Sequence, residues 1–533
     1  MSQVPNVGGA ARRAAALLVV AVGVVTLAPL ARAQSASAPV LRPRTLAEDL
    51  QMFGQVLNQV RVNHVDSLDM HRLMQSAVQG LLRAADPHSY VITAERLSEQ
   101  TAALAKAGKL VPVPVSFRYV AGVPVVASIA AGAREAVGDV RPGDVLVTID
   151  SAPVRADGEL ELETTLSGPK GSVVRLGLER ERTDGTRITL VRPVRRQEPK
   201  PETAVPVAFL LDAETAYVRI TTFVAERIAA DLEQGLSRLE RSGMQRLVLD
   251  LRDNGGGRVD EAALVAGAFL PEGTIVYTAE GRRSDVADTG RVRRAFWKSA
   301  RRVPMAVLIN EGSASASELV AGALQDHDRA RIVGRPSFGK ALLMRGFPLV
   351  DGSVIVLVVG QLRTPCGRVV QRSYQGVRAA QYYRAAGTVR DTAGRPSCRT
   401  TGGRVVYGGG GIYPDLLLPP TPVSPDWLTA LDEDGVIAQW AAAYVGERGS
   451  PAPSAEALAT APLSTESLVK SLRGYASAKG VTLPAEAETS AALGRRLNVE
   501  LAWQKWGDAG AFRVAAPGDR EVQEAVAALR GAP

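Results

Sequence analysis

Histidine and cysteine are nearly absent from this chain: its 533 residues hold four of the first and two of the second. None of His64, His71, His88 and His327 stands at ligand spacing from another, and the lone cysteine pair lacks partners for a zinc site, so neither a metal nor a cofactor is expected. Aromatic residues make up only 5%, and the formal charge of +8 is spread without a basic block, which argues against nucleic acid as a partner. Internal repeats are missing as well. What remains is a globular composition, 46% hydrophobic and 22% charged, in a chain too long for one ordinary domain, and two to four modules are expected.

The N-terminus carries an ordered signal. Arg12 and Arg13 precede an apolar run from Ala14 to Leu30, and Ala31, Arg32 and Ala33 supply a small-x-small site before Gln34. That order predicts a secretory signal peptide over residues 1–33, cleaved after Ala33, with the mature chain periplasmic or otherwise extracytoplasmic; an uncleaved anchor helix is the alternative. Loss of those three arginines lowers the formal charge from +8 to +5. In an oxidising compartment Cys366 and Cys398 are expected to pair as a disulfide, two free thiols being the other reading.

Residues 34–109 read as a helical N-terminal region. Thr45 and Glu48 form a capping box ahead of an apolar stripe, Leu46, Leu50, Phe53, Leu57 and Val60. A second helix from Asp69 is expected to bury Leu73, Met74, Ala77, Val78 and Leu81 before Pro87 stops it, and no residue of these helices asks for chemistry. Residues 110–196 change to short strands, VPVSFRY, VPVVASI, DVLVTID, VVRLGLER and RITLVRP, with one helical piece from Gly158 to Leu166. Arg195 to Pro206 is a Pro- and charge-rich linker. From 197 to 420 strands and helices alternate, which predicts an α/β domain. Residues 421–533 turn to Ala, Glu and Leu at helical spacing, a helical C-terminal region whose stripes suit packing or self-association.

The chemistry concentrates between Val307 and Lys340, where an apolar strand runs into a small-residue turn and a helix begins near Ala316. Ser315 and Glu318 fit a capping box, and a capping serine at a strand-to-helix turn can also be a nucleophile, because the next amide, Ala316 N–H, is free at a helix N-terminus to hold an oxyanion. His327 is the nearest histidine, twelve residues down the helix. At 1.5 Å per residue it lies roughly 18 Å off, too far to serve as base, and Asp326 fails in the same way. Lys340 sits on a loop that can fold back. A lysine acts as base only when neutral, which demands burial, and Phe338, Leu342, Leu343 and Met344 are apolar enough to provide it. GRPSFGK also matches the opening of a phosphate-binding loop, but Ala341 stands where a Ser or Thr must hold magnesium, and a β-rich run follows in place of a helix.

Two stretches within 110–196, RPGDVLVTIDSAPV and SGPKGSVVRLGLER, resemble PDZ domains. That resemblance implies a peptide tail adding as a strand beside the second strand, although Pro112 and Pro114 have no N–H with which to take its carboxylate. Taken together, DPHS at 86–89, Pro142-Gly143-Asp144, LRDNGGG at 251–257, GSASASELVAGALQD at 312–326, VGRPSFGK at 333–340 and YGGGGIYPD at 407–415 resemble the carboxyl-terminal processing peptidases, also called tail-specific proteases. The resemblance implies a multidomain α/β fold: an α/β serine-lysine protease core, an inserted PDZ-like domain and helical ends. It implies a Ser315–Lys340 dyad, 25 residues apart, with Ser313 and Ser317 structural, and oxyanion donors on Ala316 and on a glycine of the Gly255–Gly257 turn, Gly256 or Gly257. Where such proteins carry a glutamine that orients the lysine, this chain has Met344.

The expectation is an exported serine endopeptidase acting on protein or peptide substrates through their C-terminal tails, without metal or nucleotide. It would work alone or with an activating or adaptor protein, and could self-associate through its helical ends. The rival is a catalytically weak or silent peptide-binding scaffold with the same fold.

Overall fold

The computed structural model describes residues 44–95, 97–98, 110–120, 123–129, 134–138, 140, 144–154, 159–181, 187–197, 203–225, 227–293, 299–375, 377, 382, 392–420 and 424–530. The expected signal peptide, Pro142-Gly143 and much of the linker after Arg195 lie outside them. The described chain forms two compact units that divide after Gln75. In the first, α1 (Leu46–Asn63) starts at Thr45, whose Oγ1 and Glu48 exchange the two expected capping bonds, yet the helix buries none of its residues. The periodicity was sufficient for a helix and silent on what covers it. Helix α2 (Met70–Ala85) buries only Leu82; of the expected stripe Leu73, Met74 and Ala77 are half-buried, whereas Val78 and Leu81 are exposed, Leu81 at 69%.

Short strands dominate the next segment: β1 (Tyr90–Ile92), β2 (Leu110–Val111), β3 (Val115–Val120), β4 (Val123–Ile129), β5 (Val145–Ile149) and β6 (Ala152–Pro153). Helix α3 (Glu159–Leu166) separates these from β7 (Gly168–Pro169), β8 (Val173–Glu181) and β9 (Arg187–Arg195). Strands β3, β4, β5, β8 and β9 pair in that order into an antiparallel sheet around Val126, Val137, Leu146, Leu162, Val174, Leu176 and Leu178. The second strand, β4, lies between β3 and β5, so its hydrogen-bonding edges face partners within the sheet and a peptide cannot add beside it. The open edge next to it is β3.

The core follows as β10 (Val207–Leu210), β11 (Thr215–Arg219), α4 (Ile228–Arg241), β12 (Arg246–Asp250), α5 (Val259–Ala266), β13 (Ile275–Gly281), β14 (Asp288–Arg291), β15 (Met305–Ile309), α6 (Ala316–Asp326), β16 (Arg331–Gly334), β17 (Leu342–Pro348), β18 (Val354–Arg363), β19 (Ser397–Arg399), β20 (Val405–Tyr407) and β21 (Leu416–Leu417). Its main sheet has the order β10-β11-β12-β15-β16-β21, parallel from β11 onward. Strand alternation feeds both faces: Leu247, Leu249, Val307 and Ile309 pack with α4, α5 and α6, while Val248, Ala306 and Leu308 face Val522, Ala525 and Leu529. Burial on both sides is why these strands read as unbroken apolar runs. A second, antiparallel sheet joins β1, β18, β13 and β14, with β17 also on β18.

The C-terminal region is helical, as expected: α7 (Asp426–Glu433), α8 (Val436–Arg448), α9 (Ala455–Thr460), α10 (Thr465–Ala478), α11 (Ala491–Ala515) and α12 (Arg520–Arg530). Most of it packs around Trp440, Leu472, Tyr475 and Leu497. Helix α12 instead covers the far face of the main sheet and is fastened by charge. Asp250, fully buried, accepts from Tyr217, Arg219 and Arg252, and Arg252 reaches on to Asp519 and Glu521, the latter shared with Arg335. Burial alone would raise the Asp250 carboxyl; Arg252, Arg219 and Tyr217 outweigh it and hold it below the ordinary range.

Cys366 and Cys398 are joined by a disulfide, their Cα atoms 6.1 Å apart. It closes a loop of 32 residues, and replacing both cysteines by serine is expected to cost about 2–4 kcal/mol. Thermal melts of parent and double variant test this, and equal melting temperatures would show that the loop is held by its other contacts.

Candidate active site

Three loops leave the C-terminal edges of three adjacent parallel strands, β12, β15 and β16, and converge, the usual place for a site in an open parallel sheet. They are Leu251–Gly257, Asn310–Ser315 and Arg335–Lys340. Side chains lace the first two together. Ser313 Oγ donates to Leu251 O (2.8 Å) and Ser317 Oγ to Asn254 O (2.8 Å), while Ala314 N–H donates to the same Asn254 O. Asn310 Oδ1 accepts from Asp253 N and Gly312 N, and Asn310 Nδ2 donates to Asp253 Oδ1. The hydroxyls of Ser313 and Ser317 therefore both donate to backbone carbonyls of the first loop.

Between them stands Ser315, at φ 56° and ψ −116°. A positive φ on a residue with a Cβ costs of the order of 1–3 kcal/mol and persists only where neighbours impose it. Here the neighbours are the bonds on Ala314 and Ser317 and the Glu318 carboxylate, which accepts from Ser315 N–H (2.9 Å). Gly256 backs the turn so closely that a Cβ there would lie 2.7 Å from the Ser315 Cβ, and Gly257, at φ 148°, presses on Phe223 in the same way. The two glycines differ in what their amides do. Gly256 N–H donates to Asn254 Oδ1 (2.9 Å), whereas among the described residues those of Gly257 and Ala316 donate to nothing.

Glu318 also reaches the third loop. Its Oε1 accepts from Ser337 Oγ (2.5 Å) and Gly339 N–H (2.7 Å), and its Oε2, already bonded to Ser315 N–H, accepts from Lys340 N–H (2.8 Å). The backbone nitrogens of Ser315 and Lys340 are therefore no farther apart than two hydrogen bonds laid end to end. No hydrogen bond joins the Ser315 hydroxyl to the Lys340 amine among the described residues, and ligand-free catalytic pairs are often loose in this way. Met344 pairs with Val358 on the β17–β18 ladder, and its thioether is only a weak hydrogen-bond acceptor.

Sequence reasoning missed the far wall. His88, set aside with the N-terminal helices, is buried beside the lysine loop: its Nε2 lies 3.1 Å from the Tyr382 hydroxyl, and Asp86 Oδ1 accepts its backbone N–H. Burial, then the Lys340 charge, push the imidazole down to about 4, with Asp86 opposing and Arg372 adding to the fall. Arg372 stacks on Phe338 and Tyr382, 4.8 and 4.6 Å from the ring centres. The signal in the sequence was the polar DPHS turn itself, too short to name its partners. One trio among the described residues, Asp326, Cys366 and Cys398, brings metal-type ligand atoms together, but both sulfurs are spent in the disulfide and neither is a thiolate.

Four donors on two oxygens require an ionised Glu318, since a proton on either oxygen displaces a donor. Burial opposes this and pushes the carboxyl up to about 7 from 4.5, against the hydrogen bonds from Ser337, Lys340, Gly339 and Ser315. A folded value above the unfolded one stabilises fully below pH 4.5, and that contribution is lost as pH rises through 7, up to about 3 kcal/mol. Melting of the parent relative to Glu318→Gln, followed from pH 4 to 9, should show the parent losing ground across that window. A difference flat in pH would show that the carboxyl titrates normally.

The model of peptidase family S41 matches residues 214–379, a span that holds all three loops. A carboxy-terminal-processing protease of Bartonella bacilliformis is 30% identical over 329 residues, covering 61% of this chain and 73% of that protein. The chloroplastic C-terminal processing peptidase of Tetradesmus obliquus is also 30% identical, covering 60% and 70%, whereas the chain spans only 55% of a carboxyl-terminal-processing protease of Synechocystis sp., at 33% identity. Among solved structures, a photosystem II D1 C-terminal processing protease aligns with 70% of this chain and 94% of its own at 25% identity, with a TM-score of 0.34. The chain belongs to peptidase family S41, among its serine-type carboxy-terminal-processing proteases.

Proposed function

We propose that the protein is an exported endopeptidase in which Ser315 attacks the scissile carbonyl and Lys340 takes its proton, cutting protein chains selected near their C-termini. One observation carries this reading: a single buried carboxylate, Glu318, binds the backbone of both residues and so fixes their relative position across two loops. The free amides of Ala316 and Gly257 suit the oxyanion better than that of Gly256, which Asn254 already occupies. After attack the carbonyl oxygen carries the negative charge, and the lysine ammonium returns the proton to the departing amine.

Substrate choice falls to the sheet of β3–β9, whose open β3 edge can accept an extended tail by backbone pairing. Export rests on the N-terminal sequence; among the described residues no helix is long and apolar enough to cross a membrane. The exposed apolar side chains of α1, including Leu46, Leu50 and Val56, support self-association through the N-terminal helices.

A serine-directed fluorophosphonate probe should label the protein and fail on Ser315→Ala, and Ser315→Ala and Lys340→Ala should each abolish turnover of an unstructured protein without lowering the melting temperature much. Full turnover by folded Lys340→Ala would refute the pair. With an amine as base and Glu318 required as the anion, activity should rise through neutral pH, and Glu318→Gln should lose about a hundredfold.

A further inference from the structure

The direction in which a lysine side chain leaves the backbone is set by the two peptide planes that flank its Cα. Before Lys340, the plane is held at both ends: its N–H donates to Glu318 Oε2, and the Gly339 carbonyl accepts from Arg372 N–H (2.9 Å). After Lys340, the plane has one bond among the described residues, from Ala341 N–H to Gln371 Oε1 (2.9 Å). That bond is buried, as are both residues that make it. The other end of the Gln371 carboxamide is also spoken for. Its Nε2 donates to Arg372 O (2.8 Å) and to the Tyr382 hydroxyl (3.0 Å), which meets His88 Nε2 at 3.1 Å. Tyr382 is 1% exposed and stands edge-on to His88, Phe338 and Tyr374.

We propose that Gln371 is a positioning residue for Lys340: its carboxamide fixes the peptide that follows the lysine, and Tyr382 and His88 fix the carboxamide. This rests on the reading of Ser315 and Lys340 as the reacting pair. The chain of bonds has a direction. Gln371 gives a hydrogen to the Tyr382 oxygen, and the Tyr382 hydrogen goes to His88 Nε2, which requires a neutral imidazole protonated on Nδ1. Burial, the largest influence, and Arg372 keep the imidazole neutral against the pull of Asp86. The device supplies from 371 the restraint that Met344, opposite Val358, does not supply from β17.

The test is steady-state cleavage of an unstructured protein by parent and variants. Gln371→Ala should fold, lower kcat by about tenfold to a hundredfold and leave KM within about twofold, since a misdirected base weakens the reaction and leaves binding alone. Gln371→Glu discriminates positioning from mere packing. Its carboxyl faces Arg372, Tyr382 and the Ala341 amide, with His88, Lys340 and Glu318 beyond; only its protonated form offers the same acceptor and donor as the amide, so its rate relative to parent at each pH should climb as pH falls from 8 to 6. Should Gln371→Ala fail to fold, Tyr382→Phe, which removes one oxygen, decides by a fall in kcat of about threefold or more. A folded Gln371→Ala or Tyr382→Phe with parental kcat, or with a change in KM alone, overturns the proposal, as does a tenfold gain from Met344→Gln in the parent. Lys340→Ala, run beside them, separates the two failures: if it too is fully active, the reacting pair itself is wrong, and if it is dead while Gln371→Ala is not, only the role of Gln371 falls.

Discussion

The site depends on one buried carboxylate. Glu318 draws donors from three positions of the lysine loop and one of the serine turn onto two oxygens, beside a direct bond from Phe338 N–H to Ser313 O and the Arg335–Glu311 ion pair between the same loops. An anion with no exposed surface is costly unless its lone pairs are filled, and these are. The same arrangement sustains the unusual backbone of Ser315, because the turn can be held at positive φ only while its N–H has somewhere to go. Burial, strain and placement are thus one constraint seen from three sides: relaxing the pull on Glu318 would free the N–H groups of Ser315 and Lys340 together.

How much of this could be read beforehand varies with the range of the interaction. The parallel core was legible because its strands, buried on both faces, are unbroken apolar runs, and because Ser315 and Glu318 mark a helix start within four residues. Ser313 and Ser317 were set apart as structural only by the resemblance, whose serine-to-lysine spacing singles out Ser315. Short-range pattern fails where a residue's meaning comes from a distant partner. His88 lies 294 positions from the tyrosine it touches, and Gln371, inside the loop that the disulfide closes, meets Ala341 30 positions away, so neither could be singled out by spacing. Exposure of Val78 and Leu81, and the interior place of β4, are errors of covering and of pairing order. A helical stripe tells which residues share a face, and an alternating strand tells which side is apolar; neither says what lies opposite.

Charge behaves differently at the two ends of the main sheet's loops. Around Glu318 the donors are neutral, and burial wins, lifting the carboxyl into the physiological range. Around Asp250 the donors include two guanidinium groups, and the carboxyl is held below its ordinary range. One buried acid is therefore responsive and the other fixed, although both are covered to the same degree. What distinguishes them is the company they keep.

Arg252 stands at the start of the loop that backs Ser315, and two of its three acidic partners, Asp519 and Glu521, come from the segment that opens α12. A ribosome delivers those partners about 270 residues after the arginine. Until they arrive, Arg252 has one buried aspartate shared with Arg219 and no outlet for its second charge-assisted fork, and the far face of the sheet, with Val248, Ala306 and Leu308, lies uncovered. The charge cluster around Arg252 is therefore complete only once the segment from Asp519 to Glu521 has been made.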